Sequence, residues 1–431
     1  MRVIGGHSGN ISAVHLMSLL LTRKSFLQLI ASATPGLLLP FKATAQPSLS
    51  LDRRERVADV FRMFHQLGSH RTATPPDDDT AEWLTTEVSR RGAEGMPRRF
   101  DLDRVDLRAS FVEAGGTRRE ALPFFDSTFT PTDGIRGRAG APGSGNPIVI
   151  MTLDQAAISS EGRSIAALRK DPAVKAIIAQ TEGGMPGLCP SNAVDFTKPY
   201  GAPVVQVSST AKEWLAGLVQ AGTELRVVAD VTRTKASATN IVATVKGRRP
   251  ELPPVVVMTP RSGWYQCVSE RGGGLACWLE IMQAVAALRP DRTVRFIASS
   301  GHELGHLGLD AFLHEEPSLI KSAAAWLHLG ANIGAANGRA RLQCSSDEID
   351  TLAMTAMQAA GARIDARIPR GTVPAGEARN IHVGGGRYVS LLGNGPYFHN
   401  PMDLWPQAVD LDAVMAYVEA TTAITLALAR T

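Results

Sequence analysis

The chain has no run of lysine or arginine, and its formal charge is only +4 over 431 residues. Basic and acidic side chains are interspersed, which gives no footprint for nucleic acid. Aromatic residues make up 6% of the chain and cysteines number four. No Gly-x-Ser-x-Gly elbow is present to expose a nucleophilic serine at the top of an α/β sheet. The glycine run Gly272-Gly273-Gly274 is not followed by the Lys-Ser/Thr pair of a phosphate loop, so it reads as a place of close backbone approach ahead of a helix at Leu275–Leu288. Beyond the first fifty residues, no segment is expected to be long and apolar enough to span a membrane.

What is present is a large, alanine- and leucine-rich apolar fraction of 44%, which suits an α/β core. The length exceeds a typical single domain and implies a large domain with a smaller companion. At the N-terminus, Arg23-Lys24 precedes the apolar stretch Phe26–Phe41, and Ala43-Thr44-Ala45 offers a small-residue cleavage site. Residues 1–45 therefore read as a signal peptide, resembling a twin-arginine leader with lysine in the second basic place. The expected location is periplasmic or secreted, with the true start open to a later methionine such as Met17. In such a compartment the four cysteines, Cys189, Cys267, Cys277 and Cys344, either pair or remain buried thiols.

Three pieces follow. Residues 46–100 hold two helical patterns, the second opening on the acidic run Asp77-Asp78-Asp79 as the helix dipole favours. Residues 100–235 shift to short β-like runs rich in glycine and proline, with strands at IVIMTLD, AIIAQTE, PVVQVSS and LRVVADV. Residues 236–431 alternate strands (NIVATVKG, PPVVVMT, TVRFIAS, AAAWLHLG, RYVSLLG) with amphipathic helices. That alternation implies a mostly parallel sheet sandwiched by helices.

The segment Thr293–Leu309, TVRFIASSGHELGHLGL, concentrates the chemistry. A strand ends at Ser299-Ser300-Gly301, and His302, Glu303 and His306 follow at once, where open α/β sheets place their sites. HELGH also matches the metalloprotease pattern of two histidines one helical turn apart with a glutamate base. That motif belongs inside a long helix, and Gly301 and Gly305 oppose one here. The bland alternative is a helix start with solvated histidines.

Four segments taken in order resemble the zinc aminopeptidase and glutaminyl cyclase group. Val174–Val228 resembles that group's inserted protease-associated domain, so residues 100–235 would be this β-rich insert. Ala238–Ala243 resembles the return strand. RTVRFIASSGHELGHLGLDAF resembles the strand leading to the paired-glutamate turn, and PYFHNPMDLWPQAVDL resembles the last metal-ligand loop. The resemblance implies a zinc-exopeptidase-like α/β fold and a hydrolase of peptide or small amide substrates.

The resemblance also locates departures. The family's metal-binding His and the Asp two residues on correspond to Thr259 and Arg261. Its bridging Asp corresponds to Glu270, the paired glutamates to His302 and Glu303, a later Asp ligand to His328, and its last His to His399. It thus implies one zinc ion held by Glu270, Glu303 and His399, with His302 as general base. Arg261 or Arg271 would fill the place of a second metal, since a further dication beside them is repelled. His328 would face the same cleft, Asp403 would fix the His399 loop, and Trp264, Tyr265 and Tyr397 would line the cleft or the core. His306 is expected to orient a neighbour or face solvent. Two alternatives stay open: a metal-free binding protein on the same fold, and a hydrolase using Ser262, Ser269 or Ser300 with His302.

Overall fold

The computed structural model describes residues 53–430, so the leader expected at 1–45 lies outside the described residues. The sheet runs Ala366–Arg367, Arg339–Cys344, Tyr388–Asn394, Ala325–Leu329, Val255–Pro260, Val294–Ser299, Glu224–Val245. The middle four strands, from Tyr388–Asn394 to Val294–Ser299, are parallel neighbours. Antiparallel partners flank them at Arg339–Cys344 and Glu224–Val245.

Both faces are covered, which is why the central strands read as nearly unbroken apolar runs. Alternate residues of Val255–Pro260 serve opposite cores. Val255 and Val257 pack with Phe61, Leu84, Trp278, Met357 and Val418 from the helices on one face. Val256 and Met258 pack with Leu309, Phe312, Trp326 and Ile381 on the other. The closing helix Leu411–Leu428 is, by length and composition, apolar enough to cross a membrane, contrary to expectation. Its Val414, Val418 and Ile424 are buried in the first core, which accounts for that composition. All four cysteines are buried free thiols.

Two expectations from local pattern are corrected. LRVVADV and NIVATVKG are one strand, Glu224–Val245, because the stretch between them, TRTKASAT, holds three threonines and no glycine or proline, and stays extended. It pairs antiparallel with Glu94–Ala114, with one irregularity at Leu107/Ala109. The residue-235 boundary therefore falls inside a strand. Between the two long strands lies a second, smaller sheet in which Ile148–Asp154, Ala176–Glu182 and Val204–Val207 run parallel. It has apolar clusters of its own around Ile148, Ile178 and Val205 and around Leu153, Ile177 and Val204.

The second correction concerns the glycines. The helix begins at Val268, so Gly272-Gly273-Gly274 lie inside it. The reason is contact. A Cβ at Gly272 would meet the Phe61 ring at 2.5 Å, at Gly273 the Ile333 carbonyl oxygen at 1.8 Å, and at Gly274 Thr259 Oγ1 at 2.5 Å. The helix is pressed onto its neighbours, which fixes the position of Glu270 and Arg271 in its first turn. Gly273→Ala should therefore destabilise the protein by about 1–3 kcal/mol, the usual cost of overpacking. Equal denaturation midpoints for variant and wild type would show that the helix can lift away.

Candidate active site

Strand ends and helix starts converge at the carboxyl edge of the parallel strands. Val255–Pro260 delivers Arg261 and Ser262, and Val294–Ser299 delivers Ser300 to His306. The turn after Ser299 is too tight for a continuous helix. Gly301, Gly305 and His306 have φ of 75°, 82° and 70°. His302–Leu304 is a single 3-10 turn, and the next helix is Leu307–Glu315. The metalloprotease reading of HELGH fails on this geometry. The histidine rings nonetheless lie together, 5.1 Å between centroids and 26° between planes.

The centre is organised by Arg271, which is fully buried. Its Nη2 donates to Glu303 Oε1 at 2.6 Å, and its Nε donates to the Ser262 carbonyl oxygen at 2.7 Å. The same Nη2 lies 2.7 Å from Glu270 Oε1. The other Glu303 oxygen, Oε2, accepts from Ser262 Oγ at 2.8 Å. His399 Nε2 lies 3.4 Å from Glu270 Oε1, and its Nδ1 donates to the Pro190 carbonyl oxygen at 2.7 Å. Asp403 caps the long helix, accepting from the Ser269 and Glu270 amides at 2.7 and 3.0 Å.

Burial acts against the charge on these acids, and the outcome depends on their neighbours. Burial raises the Glu270 carboxyl, but Arg271 and His399 outweigh it and hold it at about 2. Asp403 makes no ion pair among the described residues. Burial pushes it up to about 7, with the Glu270 charge adding to the rise against the two amide bonds. Arg271, desolvated yet flanked by Glu270 and Glu303, is raised above its ordinary value.

Arg261, also expected near a metal position, is engaged elsewhere. Its Nη1 donates to Asp77 Oδ1 at 2.7 Å and its Nε to the Thr239 carbonyl oxygen at 3.2 Å. Asp77 Oδ2 accepts from Ser300 Oγ at 2.9 Å. Tyr265 donates to the Leu188 carbonyl oxygen, and Trp264 packs on Phe125 within the core.

On the other side of Glu303 lies a second cluster built around Glu377. Its Oε1 is 2.7 Å from His302 Nδ1, and its Oε2 is 3.2 Å from His328 Nε2. His328 Nδ1 is 2.9 Å from Ser390 Oγ. The carboxyl is buried, which raises its pKa, but the flanking imidazoles hold it well below the ordinary range. Gly376, at φ 65°, lets the backbone pass: a Cβ there would stand 2.8 Å from His328 Cε1. His306 Nδ1 is 2.9 Å from Asn380 Oδ1, and Asn380 Nδ2 donates to Asp310 Oδ1 at 2.5 Å. The acid fixes the amide orientation, so His306 carries its proton on Nδ1 and leaves Nε2 free. Burial lowers His306 to about 4.

The single-zinc shell expected of Glu270, Glu303 and His399 meets an obstacle at Glu303, whereas Glu270 Oε2 and His399 Nε2 make no hydrogen bond among the described residues. Both Glu303 oxygens are taken by Ser262 and Arg271, and the guanidinium supplies the positive charge between the acids. Among the described residues, one group of three has donor atoms within 4.8 Å of one another: His302, His306 and Glu377. His302 and His306 line a pocket of about 470 Å³ at the same edge of the sheet. Glu377 escaped the sequence reading because it follows no strand and sits among Gly, Pro and Ala. Asp77 lay in an acidic run that read as helix-dipole complement, with nothing to single out one member for Arg261.

No family model and no curated protein matches the sequence. Solved structures do. A zinc aminopeptidase from Bacillus subtilis superposes with a TM-score of 0.69 at 16% identity, over 88% of this chain and 96% of that one. A peptidase M28 precursor from Shewanella amazonensis gives 0.70 at 13% identity, over 88% and 97%. An aminopeptidase from Aneurinibacillus sp. strain AM-1 gives 0.66 at 14%, over 88% and 94%. The chain has the α/β fold of these peptidases, a zinc-exopeptidase-like sheet flanked by helices.

The Arg271 network generates a stability prediction. Arg271→Met keeps volume but leaves two buried carboxylates without their cation, and should cost about 3–5 kcal/mol. In the wild type, Glu270 is held at about 2 when folded, against an ordinary value of 4.5. Its contribution is complete above pH 4.5 and is lost as pH falls towards 2. The variant should lack that acid-side decline in denaturant midpoint. Unchanged stability in the variant would show that the network contributes nothing net.

Proposed function

We propose that the chain is a hydrolase of amide or peptide bonds that works with one zinc ion held by His302, His306 and Glu377. The observation that supports this is the convergence of two imidazoles and one buried carboxylate within 4.8 Å, with both imidazoles on the wall of the pocket. Two His and one Glu are the donor set of several catalytic zinc shells. Zinc in such a shell supplies Lewis acidity and lowers the pKa of a bound water. This reading gives His302 a ligand role in place of the expected base role.

The chain's own residues do the positioning. The Asp310–Asn380 pair holds the His306 tautomer that presents Nε2, the kind of outer support on which metal affinity depends. His328 and Ser390 hold the far oxygen of Glu377, so its near oxygen faces His302. A cation here would replace the proton that His302 and Glu377 share. Arg271 neutralises Glu270 and, with Ser262, occupies both oxygens of Glu303. The leader-like segment supports export to the periplasm or beyond, and the sheet between Glu94–Ala114 and Glu224–Val245 supports a protease-associated-like insert.

The second reading, a metal-free binding protein, is favoured by the Arg271 cation standing where the fold's family would need ligands. Metal binding separates the two. Protein purified without chelator should contain close to one zinc per chain, and calorimetry after chelation should recover that site. Asn380→Ala should weaken it by about 10–100-fold, and His306→Ala by more. A panel of amino-acid amides and dipeptides should be turned over in a chelator-sensitive, zinc-restored manner. Zinc lost on Glu270→Gln but kept on His306→Ala would sink the assignment. No zinc and no turnover would leave the binding protein.

A further inference from the structure

The pocket beside His302 and His306 has a one-sided charge. Arg379 and Arg341 line it, together with Asn192, Asn394 and Ser159, and no aspartate or glutamate does so among the described residues. Arg379 is half-buried at the start of the helix Ala378–Val383, and Arg341 is exposed on the strand Arg339–Cys344. Neighbouring arginines on the same side are neutralised: Arg367 pairs with Asp350, and Arg370 with Asp347 at 2.6 Å. Arg379 and Arg341 have no ion-pair or side-chain hydrogen-bond partner among the described residues. Asp310 feels the charge of Arg379, but its Oδ1 is already engaged by Asn380.

A substrate pocket built this way disfavours an ammonium group. A peptide's free amino terminus needs carboxylates or carbonyls to replace its water, and here it would meet two guanidiniums in a partly desolvated cleft. A carboxylate has the opposite fate, because the planar guanidinium fork matches its two oxygens. We infer that the pocket binds substrates through a carboxylate, with Arg379 and Arg341 as specificity-determining residues. The amide to be cleaved would then lie towards His302 and His306. This deepens the hydrolase reading, on which it rests for the pocket being the substrate site. The carboxylate would come from a free peptide carboxyl terminus or from an acidic side chain.

The test is binding, measured by calorimetry on the full chain with and without added zinc. The probes are N-acetyl-Ala-Ala, its carboxyl-terminal amide, and N-acetyl-Glu-Ala amide. The free acid, the glutamyl amide or both should bind at least about tenfold tighter than the neutral amide, the scale of a charge-assisted hydrogen bond. Whichever acid is preferred identifies the source of the carboxylate. Arg379→Ala should abolish the preference and Arg341→Ala should reduce it, with thermal midpoints confirming that both variants are folded. Arg379→Lys should restore part of it. Equal binding of acid and amide, a preference unmoved in both alanine variants, or no binding of any probe would each overturn the inference. Because the readout is affinity, a carboxylate preference in a protein without zinc would refute the hydrolase reading alone.

Discussion

One buried guanidinium decides what this edge of the sheet can do. Arg271 lies between Glu270 and Glu303, all three sealed from solvent. Two ionised carboxylates at that separation and burial are tolerable only with a cation between them. The sequence resemblance leads to the expectation of a metal in this neighbourhood. Here the cation is covalently part of the chain, does not dissociate and does not titrate. The surrounding arrangement follows from it. Ser262 turns its carbonyl to the guanidinium and its hydroxyl to Glu303. Asp403 caps the helix that presents Arg271, and the glycine run lets that helix sit against the Ile333 backbone.

With Glu303 occupied and Glu270 neutralised, the proposed reactive inventory is the cluster that begins at His302. There His302 and His306 face a pocket with the buried Glu377 beside them, while His328, Ser390, Asn380 and Asp310 hold the cluster from behind. The two clusters share the turn His302–Glu303, so adjacent residues of one short segment serve opposite electrostatic tasks. Glu303 closes an internal ion pair, and His302 opens onto a cleft.

Much of this was legible in the sequence wherever the physics is local or periodic. Unbroken apolar runs such as Val255-Val256-Val257 marked strands covered on both faces. TVRFIAS followed by Gly301 marked a strand end with chemistry at its tip. An arginine paired with Glu270 was expected from either Arg261 or Arg271; Arg271 takes that place and also reaches Glu303, while Arg261 pairs with Asp77. What escaped were partnerships across long separations. Glu377 reaches His302 over seventy-five positions and Asp77 reaches Arg261 over one hundred and eighty-four. Asp77 opens a helix as one of three consecutive acids with nothing to single it out, and nothing in GTVPAGEARN distinguishes a buried relay from a solvated loop. The fused strand Glu224–Val245 was missed for a different reason. Polar residues interrupting an apolar pattern look like a turn, unless a partner strand of matching length is known to continue beside them.

That fused strand bears on how the two sheets are joined. Inserted domains commonly hang on flexible connectors, so they can be gained, lost or exchanged without disturbing the host. Here the smaller sheet is reached by two strands, Glu94–Ala114 and Glu224–Val245, whose ladder continues from the main sheet outwards. There is no seam to cut: a truncation at either end would remove pairing from the host sheet as well as from the lobe. The smaller sheet thus shares its base with the main one, so loosening either long strand would unpair both.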